Sequence, residues 1–403
     1  MKKLLAILLV LLLLPQGAAA GAGQGSRQGG AESSPGASAQ SGAGGAQEGA
    51  HTLDWYRQEA GKGNPGAQYT LGLLYYTGDG VAQDDWQAAT WFSRAAQQNN
   101  AAAQFQLAEM YFCGHGVAQY AQRAMVWYQR AAEGGDARAQ YAMGDLYRLG
   151  EQVRQDFAQA AIWYEKAALQ GNAGAQYNLA LMYDNGEGVA QDYALAFQWY
   201  EQAALQEHAR AQYNLALMYG NGEGTAQDFA KAFQWYEKAA LQGQANAQYN
   251  LALMYENGEG TAQDFAQAAA WYLHAADLGN ADAQVNLGYL YSHGLGVAQD
   301  SAQAVAWYRK SAEQGNDVGQ FNLGVMYDNG TGIDENDALA VYWYRVAAEQ
   351  GYAIAQFNLG VMYENGEGVE QSYASAIVWY EKAAAQGHEP AQERLDVLRE
   401  SLD

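Results

Sequence analysis

Residues 172–207 read NAGAQYNLALMYDNGEGVAQDYALAFQWYEQAALQE. Two helical patterns flank a glycine-rich break. In the first, Ala175, Leu179, Ala180 and Tyr183 recur at helical spacing. Gly186 stops that helix, because glycine enters the left-handed turn without strain. Gly188 shapes the connection, and Val189 is its one apolar plug. Asp192 then offers a carboxylate to the free amides of a second helix. The buried stripe of that helix is expected to be Ala196, Trp199, Tyr200, Ala203 and Ala204. A glycine closes most such units; here Glu207 replaces it.

The same passage recurs along the chain. The Gln of an Ala-Gln pair falls at 68, 104, 140, 176, 212, 248, 284, 320, 356 and 392, always 36 residues apart, and only Gly319 departs from Ala. Ten of the eleven tryptophans keep the period: Trp55, Trp91, Trp127, Trp163, Trp199, Trp235, Trp271, Trp307, Trp343 and Trp379. Nine units follow: 64–99, 100–135, 136–171, 172–207, 208–243, 244–279, 280–315, 316–351 and 352–387. Small residues at fixed places let helices approach, and aromatics fill the space between neighbours. One helix pair cannot bury both faces alone, so the units must stack. The expected fold is all-α: a right-handed α-solenoid of nine 36-residue helix-turn-helix repeats.

Second-helix caps are expected at Asp84, Asp156, Asp192, Asp228, Asp264, Asp300, Asn336 and Ser372. Tyr120 is the exception and predicts a weaker helix start in the second unit. Asn64 before Pro65 is a good first-helix start. Gln152 replaces the second loop glycine of the third unit, so a different loop shape is expected there. Leu53–Ala60, within 51–63, reads as a lone helix capping the front. Ala391–Leu398, within 388–403, reads as its counterpart at the back.

Ahead of the repeats, Lys2 and Lys3 precede an unbroken apolar run, Leu4–Leu14, then Pro15 and the small residues Ala18, Ala19 and Ala20. This is the pattern of a cleavable bacterial signal peptide, residues 1–20. The run is too short to span a bilayer, and no cysteine follows it to carry a lipid. Residues 21–50 are Gly, Ala, Ser and Gln with almost no bulky residue, as in a flexible linker. A periplasmic or extracellular protein without stable membrane insertion is expected. The net charge of −23 repels phosphates, which excludes nucleic acid as a natural partner. The single cysteine, Cys113, excludes an intrachain disulfide and a thiolate metal cage.

The pattern Ala-Gln-x-x-Leu-Gly/Ala-x-x-Tyr-x-x-Gly-x-Gly-Val, then Ala-x-x-Trp-Tyr-x-x-Ala-Ala-x-x-Gly, resembles the Sel-one-like repeat family, a branch of the tetratricopeptide-like α-solenoids. Ala355-Gln356, Leu359-Gly360, Tyr363, Gly366, Gly368-Val369, Ala376, Trp379-Tyr380, Ala383-Ala384 and Gly387 carry it in one unit, and it covers about 64–387. The resemblance is specific for fold and weakly specific for function. It implies an adaptor that assembles protein complexes, with no cofactor. Cysteine-rich exported relatives hold a disulfide in each repeat; this chain lacks those cysteines.

On a helical wheel the first helix of residues 172–207 places Asn178, Leu181 and Asn185 opposite the arc of Gln176, Leu179, Ala180 and Tyr183. The strip recurs as Asn178, Asn214, Asn250, Asn286, Asn322 and Asn358, with Leu181, Leu217, Leu253, Tyr289, Val325 and Val361 beside them. By resemblance to the tetratricopeptide proteins, these helices line a concave groove where an Asn ladder holds an extended peptide. An amide can donate to a peptide carbonyl and accept from its N–H, and the aliphatic strip adds affinity. The competing reading is a solvated asparagine copied by duplication. Glu109 and Asp145 make the strip acidic early on, so binding should favour units four to nine. Tyr183, its equivalents and the tryptophans read as core. The partner is expected to be a protein or peptide, and the chain a monomer.

Catalysis needs a unique constellation, and near-identical units supply copies instead. No Ser-x-x-Lys, Gly-x-Ser-x-Gly or His-Glu-x-x-His occurs. The six histidines are scattered. Cys113 and His115 share a loop without other obvious metal ligands, although Cys113 is placed as a reachable thiol. Asp184-Asn185-Gly186-Glu187-Gly188 lacks the alternating ligands of a calcium loop. Asp334, Glu335 and Asp337 read as a favourable charge cluster at a helix start. The expectation is a non-catalytic, exported protein-interaction scaffold without metal. A secreted host-interaction factor shares the same surface. A β-lactam hydrolase, a label borne by some cysteine-rich relatives, is disfavoured by the missing serine and zinc motifs.

Overall fold

The structure is a computed structural model that describes residues 52–402. The signal peptide and the Gly/Ala/Ser/Gln linker expected over 1–50 lie outside the described residues. Twenty α-helices and no strand occur among those described. They form two compact units, 52–227 and 228–402.

The first unit opens with the lone helix Leu53–Gly61. Four helix pairs follow: Pro65–Thr77 with Asp85–Gln97, Ala101–Cys113 with Ala121–Glu133, Ala137–Leu149 with Phe157–Leu169, and Ala173–Asn185 with Tyr193–Leu205. Ala209–Asn221 ends it. The second unit starts at Phe229–Leu241. It continues with Ala245–Asn257 and Phe265–Asp277, Ala281–His293 and Ser301–Glu313, Asp317–Asn329 and Asp337–Glu349, Ala353–Asn365 and Tyr373–Ala384. Glu389–Leu402 closes it. Within each unit every helix packs on the next in sequence.

The hydrophobic clusters straddle the repeats. One joins Ala160, Ala161, Tyr164, Ala167 and Ala168 of one second helix to Ala175, Leu179 and Met182 of the following first helix, with Trp199 against its edge. Burial is therefore completed at the junction between repeats, the physical basis for stacking. The second-helix stripe needs one correction. Tyr200 is fully buried, whereas Trp199 is only half-buried. Adjacent helix positions point 100° apart, so both rings cannot face the centre. The tyrosine takes the slot against its own first helix: a Cβ on Gly144 would lie 2.5 Å from the Tyr164 ring. The tryptophan turns to the junction's edge, where a cation often covers its outer face, as Lys166 lies 4.1 Å from the Trp163 ring centre. The Tyr183 position is likewise half-buried in most repeats, and only Tyr219 and Tyr327 are buried.

Local signals placed the helix ends. Gly186 is left-handed with φ 72°. A Cβ on Gly188 would meet the Phe157 carbonyl carbon at 2.3 Å, because this loop lies on the start of the preceding second helix. Gly80, with no repeat before it, has nothing within 4 Å. Gln152 departs from the glycine geometry, since only Asn99 and Glu207 are non-glycine residues with positive φ among those described. Asp192 accepts from the Leu195 amide at 3.0 Å. Tyr120 provides no side-chain cap.

The Ala-Gln signature has a structural cause. Gln176 Nε2 donates to the Ala168 carbonyl at 3.1 Å, the end of the preceding second helix. Its Oε1 accepts from Gln206 at 2.7 Å. The first of these bonds recurs at Gln68, Gln104, Gln140, Gln212, Gln248, Gln284, Gln320 and Gln356. Gln248 is the instructive case. Leu278 stands where a glutamine stands at 206, 314, 350 and 386, and the buried Gln248 Oε1 has no hydrogen-bond partner.

Gly319 is also explained. Ser311, fully buried, replaces the alanine of other repeats and donates to the Ala281 carbonyl at 2.9 Å. A Cβ at 319 would lie 2.5 Å from Ser311 Oγ. The two exceptions are one compensated change.

Two outcomes follow for urea unfolding. Leu278→Gln should raise stability by about 1 kcal/mol by satisfying Gln248; an unchanged or lower midpoint counts against the glutamine ladder. Gly319→Ala should destabilise by about 1–3 kcal/mol through overpacking, and Ser311→Ala should rescue it. Additive effects of the two changes would refute their coupling.

Candidate functional site

The first helices carry the candidate strip, and the structure shows what surrounds it. Asn178, Asn250, Asn286, Asn322 and Asn358 are half-buried, as are Leu181, Leu217, Leu253, Tyr289, Val325 and Val361. Asn214 departs from its wheel position opposite the core: it is 5% exposed and its Nδ2 has no hydrogen-bond partner. Ala209–Asn221 packs on the preceding second helix, Tyr193–Leu205, and elsewhere a first helix also packs on a neighbouring first helix, as Ala137–Leu149 does on Ala173–Asn185. A wheel with one buried arc underestimates this. Asn185 is exposed.

Beneath the strip runs a row of buried tyrosine hydroxyls and carboxyl groups. In the first unit, Tyr128 donates to Glu109. Tyr164 donates to Asp145 at 2.6 Å and accepts from Arg148 Nε at 3.0 Å. Tyr200 donates to the buried Asp184 at 3.2 Å. In the second unit, Tyr272 donates to Glu256, Tyr344 to Asp328 at 3.1 Å and Tyr380 to Glu364 at 2.7 Å. Arg394 of the last helix also clamps Glu364 with two nitrogens, at 2.6 and 2.9 Å. A buried hydroxyl must find a partner, and each of these does so on the first helix of its own repeat.

Two ladder asparagines join this row. Asn178 Nδ2 donates to Asp145 at 3.4 Å, and Asn286 Nδ2 to the Tyr272 hydroxyl at 2.9 Å. Each contact reaches back to the preceding repeat, so these amides have a structural use at the junction.

The acids at 184, 256, 328 and 364 escaped the sequence reading. Asp184 there belonged to a loop that could be mistaken for a calcium site; its carboxylate instead turns inward to Tyr200. The sequence did hold a signal. An acid lies 16 or 19 residues before the tyrosine in six repeats, whereas the first repeat has Phe92 with Leu73 and Tyr76 at the two positions. The scattered histidines divide as well. His208 and His388 cap first-turn amides, accepting from Ala211 and Ala391 at 3.2 Å each. Cys113 is an exposed free thiol whose pKa is pushed up by partial burial and by Glu109. Among the described residues no group of three His, Cys, Asp or Glu is placed to hold a metal ion, and no helix is long and apolar enough to cross a membrane.

Burial pushes the carboxyl groups of Asp145, Glu256 and Asp328 above their ordinary values. The folded state therefore holds protons that the unfolded state releases, starting near 3.8 for Asp and 4.5 for Glu. This contribution is complete below those values and is lost as pH rises through the raised ones. His388, lowered by burial, acts in the opposite sense. Thermal midpoints should fall as pH rises from mildly acidic to neutral, and Glu256→Gln should flatten the fall. A midpoint that rises with pH by the same amount in both proteins would contradict this reading.

Against known proteins, the Sel1 repeat model matches nine times, at 65–100, 101–136, 137–172, 173–208, 209–244, 245–280, 281–316, 318–352 and 353–388. Among solved structures, the chain is similar to a protective antigen with an SLR fold present in uropathogenic Escherichia coli strains. The two share 35% identity over 87% of this chain and 83% of the other, with a TM-score of 0.69. It is also similar to a Sel1 repeat protein from Oxalobacter formigenes, with 30% identity over 87% and 91% of the two chains and a TM-score of 0.58. No curated protein matches it. Sel1 repeat solenoids typically serve protein–protein interaction. With nine matched repeats over a helix-pair array, the chain belongs to the Sel1 repeat family.

Proposed function

We propose that this protein is an exported, non-catalytic scaffold that holds a protein or extended peptide against the first-helix strip of the second unit. The observation that carries the reading is the strip itself: four half-exposed asparagines, Asn250, Asn286, Asn322 and Asn358, each beside a half-exposed Leu, Tyr or Val, repeating every 36 residues. A peptide backbone has donors and acceptors at regular intervals, and rigid, evenly spaced amides answer them with little ordering cost. Where the amide nitrogen already serves the preceding repeat, as at Asn286, the oxygen is the group offered to a ligand. Asn214 contributes through packing rather than contact, given its burial.

Export rests on residues 1–20, with their paired lysines, apolar run and alanine cleavage site. The similarity to a protein described as a protective antigen supports a place outside the cytoplasm, in periplasm or medium, and leaves room for a host-protein partner. The protein acts without cofactor or metal, and as a monomer.

The test replaces Asn250, Asn322 and Asn358 with Ala and compares capture of envelope proteins, identified after cross-linking in cells. The expected result is at least about a tenfold loss of one identified partner with helical content unchanged, as for several lost hydrogen bonds. Full capture by the folded triple variant removes the groove reading. Fractionation that finds the mature chain in the cytoplasm removes export.

A further inference from the structure

The first two repeats depart from the consensus in one place, on the opposite kind of helix from the strip. A cleft of about 640 Å³, open to solvent, lies between the second helix Asp85–Gln97 and the loop 116–120 that leads into Ala121–Glu133. Trp86, Thr90, Ser93 and Arg94 form one wall, and Tyr120 and Arg123 the other. Buried Leu107 and Ala89 reach its floor.

Two of these residues are exceptions to the repeat. Trp86, the one tryptophan outside the period, stands where 158, 194, 230, 266, 302, 338 and 374 are Ala. Tyr120 stands at the cap position of Asp156 and Asp192. Positions 93 and 123 vary between repeats: the first is Glu165 and Glu201 but also Leu273 and Arg309, the second Gln159 and Gln267 but also Lys231. The two exchanges remove an acid and add two large rings. Trp86 is 62% exposed and Tyr120 is 47% exposed. Tyr120 also forgoes the cap that other second helices have.

The cations are held in place by aromatic faces. Arg94 lies 4.4 Å from the Trp91 ring centre. Arg123 lies 5.7 Å from the Tyr111 ring and 5.5 Å from that of Tyr120, with Nη1 3.4 Å from the Tyr111 hydroxyl. No Asp or Glu lines the cleft, in a chain of net charge −23. Stacked guanidinium groups keep their outward N–H donors and lose little freedom when a carboxylate arrives.

We infer that this cleft is a docking site for an acidic peptide segment of a partner protein, with Arg94 and Arg123 taking its carboxylates and Trp86 and Tyr120 an apolar side chain between them. Thr90 and Ser93 offer hydroxyls to the peptide backbone. A small anion would leave the two exposed rings without a use. Nucleic acid and anionic lipid are opposed by the charge of the whole chain. The site is separate from the first-helix strip and does not depend on it.

The full chain would be titrated, by fluorescence anisotropy, with labelled short peptides that carry Asp or Glu on both sides of a Leu or Phe. Lysine-for-acid peptides, inorganic phosphate and phosphatidylglycerol vesicles are the comparison probes. Each variant restores the residue of other repeats: Trp86→Ala, Tyr120→Asp and Arg123→Gln. The expected result is binding of acidic peptides that weakens with ionic strength and falls at least about tenfold in each variant. Tyr120→Asp separates binding from folding, because it adds a helix cap and should raise the thermal midpoint while it abolishes binding. The inference is overturned if no acidic peptide binds more tightly than about 1 mM, if the variants bind as the parent does, or if lysine peptides, phosphate or vesicles bind as well as the acidic peptides.

Discussion

A buried side-chain amide joins each repeat to the one before it. Within either unit, the glutamine of the Ala-Gln pair donates across the junction to the last turn of the preceding second helix, as Gln176 does to Ala168 and Gln284 to Ala276. The terminal carbonyls of a helix have no partner inside it. At Ala168 the Gly171 amide supplies one bond at 2.9 Å, and Gln176 supplies a second from the next repeat. One residue per repeat fixes the spacing across this junction. Because glutamine reaches only one carbonyl at one distance, the eight-residue link from Ala168 to Gln176 is held to a constant length in every repeat. The alanines beside it matter for the same reason: a larger side chain would push the two helix ends beyond hydrogen-bond reach.

The same economy governs the tyrosine hydroxyls. Each fully buried ring fills the slot within a helix pair and leaves an O–H that must be satisfied. Repeats solve this with an acid one turn earlier or later on the facing helix, at 145 for Tyr164 and at 184 for Tyr200. The first repeat avoids the problem with Phe92. Of the carboxyl groups so used, those of Asp145, Glu256 and Asp328 are desolvated and reluctant to ionise, which couples the stability of the array to acidity. Their proximity to the ladder asparagines ties the candidate ligand surface to the same network. A ligand that claims an asparagine amide competes with the junction, whereas one that uses its oxygen does not.

Repetition and departure from repetition therefore carry different information. Residues copied nine times build the junctions. The Ser311–Gly319 pair deviates together because one hydroxyl fills the space of one methyl. The exchanges at 86 and 120 put two exposed rings on one open cleft.

Sequence alone determined the helical class, the repeat length, the helix stops at Gly186 and its equivalents, and the caps at Asp192 and its equivalents. These are decided within a few residues by backbone sterics and local hydrogen bonds, and so are legible in one dimension. It also placed the asparagine strip on the first helices. The tertiary structure decided that Tyr200 and not Trp199 is the buried ring, that Asn214 is enclosed, that Asp184 turns inward, and why the Ala-Gln pair exists at all. Those outcomes depend on partners in another helix, 8 to 33 residues away. Which groups meet there is set by close packing between repeats, and a helical wheel contains no neighbour to pack against.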